Sequence, residues 1–477
     1  MIGAEGLGLM EMMMPIYSLL IVISSIGIPP AISNMISAEH SENKISTIIK
    51  TGTIILLFSS LLTVLLTFTF FPYFDNKIFS DDRMIPAFYV LVPSIILISI
   101  FSSLRSYFQG TRQTSLIGKS QIIEQTTRLI CGIGIISVLI THNASITLIL
   151  MGIAAASFVA EFSGGSYLLF KYKKEKRKIR GTLDKNIGIT MLRYGTPITC
   201  SRIVLTATTA LQAIIVPYML ISQGANNVEA AEFYGLFAGV ALTILHLPSI
   251  ITGALITPLI PAIAEANSTH NTALRNLRIS KSIMFSNLTA LPILAILFYF
   301  AEDICNILFA SPEAGTILSI LCIGGIFLYL QHPLIGILQG MNQFRQIFIH
   351  YLIANALYIA TLYYLYLSDN FSVLLFLIIY TLDDLFIFTM NYIYLKKITG
   401  FKINVLKVYI NPFIALVSGF IVMIFFEKNI MQTDTTNILS MMLSACLFII
   451  CYLIILFFSG TLNKRIILSI LSSHKRH

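Results

Sequence analysis

The chain has 477 residues, 56% of them hydrophobic and only 11% charged, with a mean hydropathy of +0.84. Soluble domains carry about 25% charged residues, so the composition excludes a water-soluble globular fold and points to an all-α or barrel-type polytopic membrane protein. The net charge of +9 is gathered into alternate loops, which is a membrane-topology signal and argues against nucleic acid as a partner.

A helix needs roughly 20 apolar residues to cross a bilayer. Runs of that kind occupy 9–36, 45–71, 84–109, 116–141, 145–170, 195–221, 233–264, 282–301, 315–339, 346–367, 371–395, 404–426 and 436–459. Lipid permits only helices or closed barrels, and these runs are continuous rather than alternating with period 2. They predict an all-α protein of thirteen spans.

The loops between the runs alternate in charge. One set holds Lys44, Arg112, Lys119, the run KYKKEKRKIR at 171–180, Lys185, Arg193, Arg275, Arg278, Lys281, Arg345, Lys396, Lys397, Lys402, Lys407 and the tail bases Lys464, Arg465, Lys475 and Arg476. The other holds Lys77, Arg83 and Lys428 beside acids such as Asp75, Asp81, Asp82, Glu229, Glu232, Glu302, Asp303 and Glu313. The positive-inside rule makes the first set, and the C-terminus, cytoplasmic. Basic loops there also suit anionic membrane lipids. Five cysteines, Cys131, Cys200, Cys322, Cys446 and Cys451, fall in apolar runs and Cys305 sits near a loop, a pattern of inert core thiols rather than a disulfide framework.

The chain repeats itself. Phe108-Gln109-Gly110-Thr111-Arg112-Gln113 returns as Leu338-Gln339-Gly340-Met341-Asn342-Gln343, Pro30-Ala31-Ile32 as Pro261-Ala262-Ile263, and Gly6 as Gly235. The duplication divides the chain into an N-terminal lobe at 1–180, a C-terminal lobe at 181–400, and an additional helix pair with a cytoplasmic tail at 401–477. In the second copy an apolar helix, 195–221, precedes the shared glycine; in the first almost nothing does. The expectation is a fourteen-helix ancestor whose first helix this sequence lacks, through a misassigned start codon. Parallel duplicated halves are a transporter architecture, with the substrate site near the bilayer midplane.

Ionisable residues inside the spans are the functional candidates, since a charge at the bilayer centre costs about 2.5–3.5 kcal/mol on insertion scales. Gln121, Glu124, Gln125 and Arg128 share one helical face by spacing. Either Glu124 and Arg128 simply neutralise each other and lock helices, or the face lines a hydrophilic cavity where Arg128 holds an anionic headgroup. Arg105 either snorkels to the interface or binds phosphate. Arg202 lies among small and hydroxyl residues that suit cavity lining. Lys50 is placed to snorkel. Glu161, Asp383 and Asp384 are candidates for ion or proton coupling, or for pairing with these bases. Comparing copies at an offset of 230, Arg105, Glu124, Gln125 and Arg128 become Ile335, Ala354, Asn355 and Tyr358, so the charges belong to the first half alone.

Other residues read as architectural. Gly110 and Gly340 suit helix C-caps. Pro15, Pro29, Pro30, Pro197, Pro217, Pro248, Pro258 and Pro261 predict bends in the first, sixth and seventh spans. Asp81-Asp82-Arg83 has the look of an outer-loop acidic site of a membrane glycosyltransferase, but a solvated loop is the plainer reading. No HExxH, GxSxG, P-loop or CxxC occurs, and His246 and His332 stand alone in apolar spans. The sequence therefore predicts no enzyme, no cofactor and no metal.

The stretches GAEGLGLMEMMMPIYSLLIVISSIGIPPAIS at 3–33 and RSYFQGTRQ…SQIIEQTTR at 105–128 resemble the stage V sporulation protein B group. That group lies in the oligosaccharide-flippase branch of the multidrug/oligosaccharidyl-lipid/polysaccharide exporter superfamily, beside the lipid II flippases. The sequence departs from it in lacking the family's first helix and in carrying Thr114-Ser115-Leu116 where a proline usually follows the Gln-Gly turn. The resemblance implies a fourteen-helix transporter of the bacterial plasma membrane that moves an undecaprenyl-pyrophosphate-linked oligosaccharide or peptidoglycan precursor outward, for cell wall or spore cortex. A capsule or teichoic-type repeat-unit flippase and a cation-coupled multidrug exporter are the alternatives within the same superfamily.

Overall fold

The computed structural model describes residues 2–39, 41–73, 78–175, 181–254, 256–368, 371–427 and 438–462. Asp75, Lys77, residues 176–180 of the basic run, Lys428, the tail bases Lys464, Arg465, Lys475 and Arg476, and the side chain of Pro258 lie outside the described residues. Every regular element among the described residues is helical. Among the described residues thirteen helices are long and apolar enough to cross a membrane, and Asp82–Leu91 with Ser94–Gly110, bent by 41°, qualify as a pair. The predicted span 233–264 is two of those helices, Asn227–His246 and Ser249–Ser268, parted at Leu247-Pro248. Counted as one broken span, with the bent pair as another, they return the predicted thirteen. The chain is an all-α, multi-pass membrane protein.

It forms two compact units, Met1–Gly235 and Leu236–His477. The first holds α1 (Gly3–Ser25), α2 (Ile28–Ser37), α3 (Glu42–Phe70), α4 (Ile85–Leu91), α5 (Ser94–Gly110), α6 (Thr114–Thr141), α7 (Ile146–Lys174), α8 (Lys185–Ser222) and α9 (Asn227–Tyr234). The repeat boundary near 180 falls inside it, because α8 and α9 pack on α1. The span predicted at 9–36 is likewise two helices. Its break falls at Ile26 and Gly27, both left-handed at φ 43° and 61°. Pro29 and Pro30 follow in the first turn of α2, where a missing N–H costs nothing. Pro15 lies within an unbroken α1, and Pro197 and Pro217 within an unbroken α8. The break in the first span thus comes from the left-handed pair rather than from its prolines.

The second unit holds α10 (Leu242–His246), α11 (Ser249–Ala254), α12 (Ile256–Ser268), α13 (Thr272–Tyr299), α14 (Ala301–Phe309), α15 (Ala314–Gly340), α16 (Phe344–Leu367), α17 (Val373–Thr399), α18 (Asn411–Phe426) and α19 (Ile438–Phe458). The last two pack on each other and on α13. Corresponding residues build the two cores. Ile49, Leu104 and Phe108 in the first are matched by Ile279, Leu334 and Leu338 in the second, and Leu168 by Leu395. The offset falls from 230 to 227 before the last pair because α16 has 24 residues against 28 in α6, while the segment that follows it, 368–372, is one residue longer than 142–145.

The Gln-Gly repeat ends α5 and α15 in the same motif. Arg112 N–H donates to Gln109 O and Gln113 N–H to Phe108 O (3.1 and 2.8 Å); Asn342 and Gln343 repeat these bonds to Gln339 and Leu338 (both 2.9 Å). Such a paired closure puts the residue after the cap in the left-handed region, and Arg112 and Asn342 both have φ 59°. Gly110 and Gly340 are therefore not the left-handed caps; they are the last helical residues, kept small by close approach. A Cβ on Gly110 would lie 2.8 Å from Ile36 Cβ and from Ser33 O, and one on Gly340 2.7 Å from Ile260 O. Those neighbours flank or follow the Pro-Ala-Ile repeat on α2 and α12. The two repeated motifs are the two sides of one contact. Arg112→Gly should raise stability by about 1 kcal/mol, the left-handed penalty of a side-chain-bearing residue, and Asn342→Gly by less. A thermal midpoint in detergent that Arg112→Gly leaves unchanged or lowers would contradict this.

Candidate functional site

Small residues bring α6 hard against α7. A Cβ on Gly164 would lie 3.0 Å from Glu124 Cβ and 3.1 Å from Ser120 O. Ser120 Oγ donates to Gly164 O (2.9 Å) and Ser163 Oγ to Thr127 Oγ1 (3.1 Å). This crossing sets Glu124 of α6 beside Glu161, one turn before Gly164 on α7. Arg105 of α5 joins them: its Nη2 donates to Glu124 Oε2 and to Glu161 Oε1, each at 2.8 Å. Arg128 Nη2 donates to Glu124 Oε1 at 2.9 Å, the i,i+4 pair the spacing predicts. Tyr17 of α1 borders the group and bonds to Ser94 Oγ.

Two guanidinium and two carboxylate groups thus form one network with no net charge. The acids are deeply placed, 9% and 7% exposed for Glu124 and Glu161, while Arg128 is 42% exposed. Mutual pairing is what lets such groups leave water, because an unpaired member carries the full desolvation penalty. The network is incomplete: Nε of Arg105 and of Arg128 are buried with no hydrogen-bond partner among the described residues. An unsatisfied buried donor costs about 1–3 kcal/mol. Each arginine therefore offers an unused donor next to the Nη2 that holds a carboxylate, and that paired edge is the one that matches two oxygens of a phosphate.

Arg105, Glu124, Arg128 and Glu161 are the sequence candidates brought together. Gln121 and Gln125 are not; only one edge of the four-residue stripe meets α5 and α7, and both glutamines are exposed beside it. Arg202 stands exposed on α8, its carbonyl accepting from Thr206 Oγ1 at 2.9 Å. Asp383 and Asp384 lie on α17 in the second unit. Gln331 Nε2 donates to Asp384 Oδ1 (3.1 Å) and to its carbonyl (2.9 Å), and Tyr351 borders both acids. Sequence spacing missed the link from Arg105 to both acids, which only helix packing creates. The signal that was available is Gly164-Gly165, one turn after an intramembrane glutamate.

The second unit keeps the crossing and drops the charges. His350 Nδ1 and Asn391 Oδ1, 2.8 Å apart, stand where the first unit has Ser120 and Gly164. With the 227-residue offset of α17, Glu161 corresponds to Phe388, beside Ile335 for Arg105 and Ala354 for Glu124. The second unit also carries an apolar groove of about 550 Å³ between α13, α15 and α18, lined by residues such as Leu294, Phe298, Ile326 and Phe413. It presents no charged group, so it offers nothing for recognising a headgroup.

Several remaining candidates are used structurally. Lys50 donates from Nζ to Gly181 O at 3.0 Å, next to the basic run at 171–180. Arg83 grips Asp81 with Nε and Nη2 (3.0 and 2.6 Å) and Glu5 with Nη1 (2.5 Å), so this trio ties α1 to the segment before α4 and leaves Asp81, 3% exposed, unavailable as an acid catalyst. His332 is not alone: its Nδ1 meets Thr252 Oγ1 at 2.8 Å, and His246 is near enough to interact with it electrostatically. Cys305 and Cys322 are buried, whereas Cys200 and Cys446 are exposed rather than in the core. No group of three or more His, Cys, Asp or Glu among the described residues could hold a metal ion.

Residues 1–267 match a family model described as polysaccharide biosynthesis protein. The chain is 28% identical over 361 residues to stage V sporulation protein B of Bacillus subtilis, which covers 72% of this chain and 67% of that one. It is 22% identical over 201 residues to the lipid II flippase MurJ of the same bacterium, 40% of this chain and 37% of that one. Among solved structures, an inward-facing multidrug resistance MATE family transporter of the MOP superfamily matches with a TM-score of 0.69 at 13% identity, over 83% of this chain and 91% of that one. At that identity the likeness is one of fold.

Proposed function

The chain belongs to the polysaccharide biosynthesis protein family, and from that premise we propose that it is a flippase carrying a lipid-linked cell-wall precursor from the cytoplasmic to the outer leaflet by alternating access. One relative is named a lipid II flippase and the fold is shared with a multidrug transporter, which supports a membrane transporter rather than an enzyme. The finer reading is an undecaprenyl-pyrophosphate-linked peptidoglycan precursor, in the plasma membrane, with the C-terminus cytoplasmic. The observation that carries it is the cluster around Arg105 and Arg128: two guanidinium groups inside the spans, each with a buried donor left over, absent from the second copy. A diphosphate diester linking lipid to sugar is the group such a pair would grip. The likeness to stage V sporulation protein B supports a role in sporulation, for which the spore cortex is the proposed destination. Arg202, Gln121 and Gln125 are assigned to the polar wall of the same path, and Asp383 and Asp384 to ion or proton coupling. The division of the chain at 180 and 400 is proposed as its duplication history.

The test is flipping of a lipid-linked precursor by the full chain in vesicles. Arg128→Ala and Arg202→Ala should each lose about tenfold or more in rate, since a charge-assisted hydrogen bond contributes about 1.5–3 kcal/mol, at wild-type levels of membrane protein. Full transport by both variants rejects the site. The family's description favours one second reading, a flippase of capsule or teichoic-type repeat units. Faster movement of such a unit in the same vesicles would establish it instead.

A further inference from the structure

The charged cluster is balanced before any substrate arrives. Arg105 and Arg128 each commit Nη2 to a carboxylate, and Glu124 bridges the two. Glu161 accepts from Arg105 Nη2 and lies directly against the carboxyl group of Glu124, a neighbour of like charge. A phosphate gripping Nε and Nη2 of Arg105 must take the place of a carboxylate on Nη2. That placement would leave the displaced acid charged, buried and without its counter-ion.

Among the described residues the other base near Glu161 is Arg128, which the headgroup would engage as well. Around Glu161, α5 contributes Arg105, α6 contributes Glu124 and Arg128, and α1 contributes Tyr17, already bonded to Ser94. The helix α4, which also packs on α7, is Ile-Pro-Ala-Phe-Tyr-Val-Leu and carries no charge. Arg83, just before it, is occupied by Asp81 and Glu5. A buried carboxylate that has lost its partner is stabilised by taking a proton, because burial penalises only its charged form.

We propose that binding of a diphosphate headgroup to Arg105 and Arg128 displaces Glu161 and is coupled to uptake of one proton by that carboxyl group. The proton comes from water, and the carboxylate becomes a carboxylic acid; no other bond changes. The proton offsets one of the headgroup's two negative charges, so the cluster gains one unit of negative charge instead of two, and the loaded transporter carries a proton with its substrate. Release reverses the exchange: the proton leaves as Glu161 returns to Arg105. This deepens the diphosphate reading given above and rests on it.

The sign of the pH dependence follows. Because the bound state holds one more proton, affinity for an anion of constant charge strengthens as pH falls, by up to about tenfold per pH unit. The probe is a dimethyl diphosphate diester, whose two charges are constant across the neutral range, added to the full chain in lipid nanodiscs. Calorimetry in two buffers of different protonation enthalpy reads the protons taken up per diester bound. The expected result for the wild type is about one proton at neutral pH. Glu161→Gln should bind the diester more tightly, with proton uptake near zero and affinity independent of pH. Binding by the wild type without proton uptake overturns the coupling while leaving the diphosphate site intact. Uptake undiminished in Glu161→Gln overturns the assignment to that carboxyl group. No binding by the wild type overturns the diphosphate reading itself. The wild-type measurement decides the coupling even if a variant folds poorly.

Discussion

Arg105→Ala should abolish transport and lower stability more than any other single change in the charged cluster. Among the described residues, Arg105 alone is bonded to both acids, through Nη2 at 2.8 Å in each case. Its removal leaves Glu161 without its ion pair and Glu124 with Arg128 alone. Breaking a buried pair from one side costs about 3–5 kcal/mol, because the remaining charge keeps its desolvation penalty. For a unit of this size that corresponds to a fall of roughly 10 °C in the thermal midpoint. The second variant separates the two losses. Arg105→Ala combined with Glu161→Gln removes the stranded charge, so most of the stability should return, while flipping stays lost for want of the guanidinium. A wild-type midpoint for Arg105→Ala alone would mean that the acids find another partner, and would detach this network from the fold.

That prediction draws on a contact the sequence showed only in part. Spacing along one helix revealed Glu124 and Arg128, because i,i+4 neighbours meet whatever surrounds the helix. Arg105 and Glu161 lie 19 and 37 residues from Glu124, and their meeting depends on how three helices cross. The crossing in turn depends on Gly164, whose meaning is invisible without knowing that α6 lies across it. Spacing also grouped Gln121 and Gln125 with the charged pair. A helical face is an arc wide enough for one edge to be packed while the other stays exposed, so periodicity could not tell them apart.

The spans themselves were legible, since hydropathy over 20 residues is a strong and local signal. Their breaks were not. Ile26 is apolar and Gly27 is common in spans, so the left-handed pair that divides the first span has no mark in composition, while the neighbouring prolines drew the bend to themselves. The duplication was legible because Gln-Gly and Pro-Ala-Ile recur. That the two motifs touch each other was not, nor that Arg112 and Asn342, rather than the glycines, take the left-handed turn. Glycine was read as conformational freedom where it provides closeness.

Closeness is also the ground for expecting Gly8→Leu to destroy the first unit. The repeat pairs Gly6 with Gly235, but in the fold it is Gly8 that meets Gly235. A Cβ on Gly8 would lie 1.7 Å from Ala231 O, and one on Gly235 would lie 2.1 Å from Ala4 O. Both obstacles are backbone carbonyls, which cannot rotate aside as a side chain does, so α1 and α9 must part. Overpacking of this kind costs about 1–3 kcal/mol where neighbours can adjust, and here they cannot. Gly6→Ala is the control, because its nearest obstacle, 3.0 Å away, is the Ile2 side chain at the start of the chain. Size-exclusion profiles in detergent should show Gly6→Ala as a wild-type peak and Gly8→Leu as aggregate. Since α8 and α9 open the second copy in sequence, a monodisperse Gly8→Leu would show that their hold on α1 is dispensable. It would then remove the reason for counting them with the first unit.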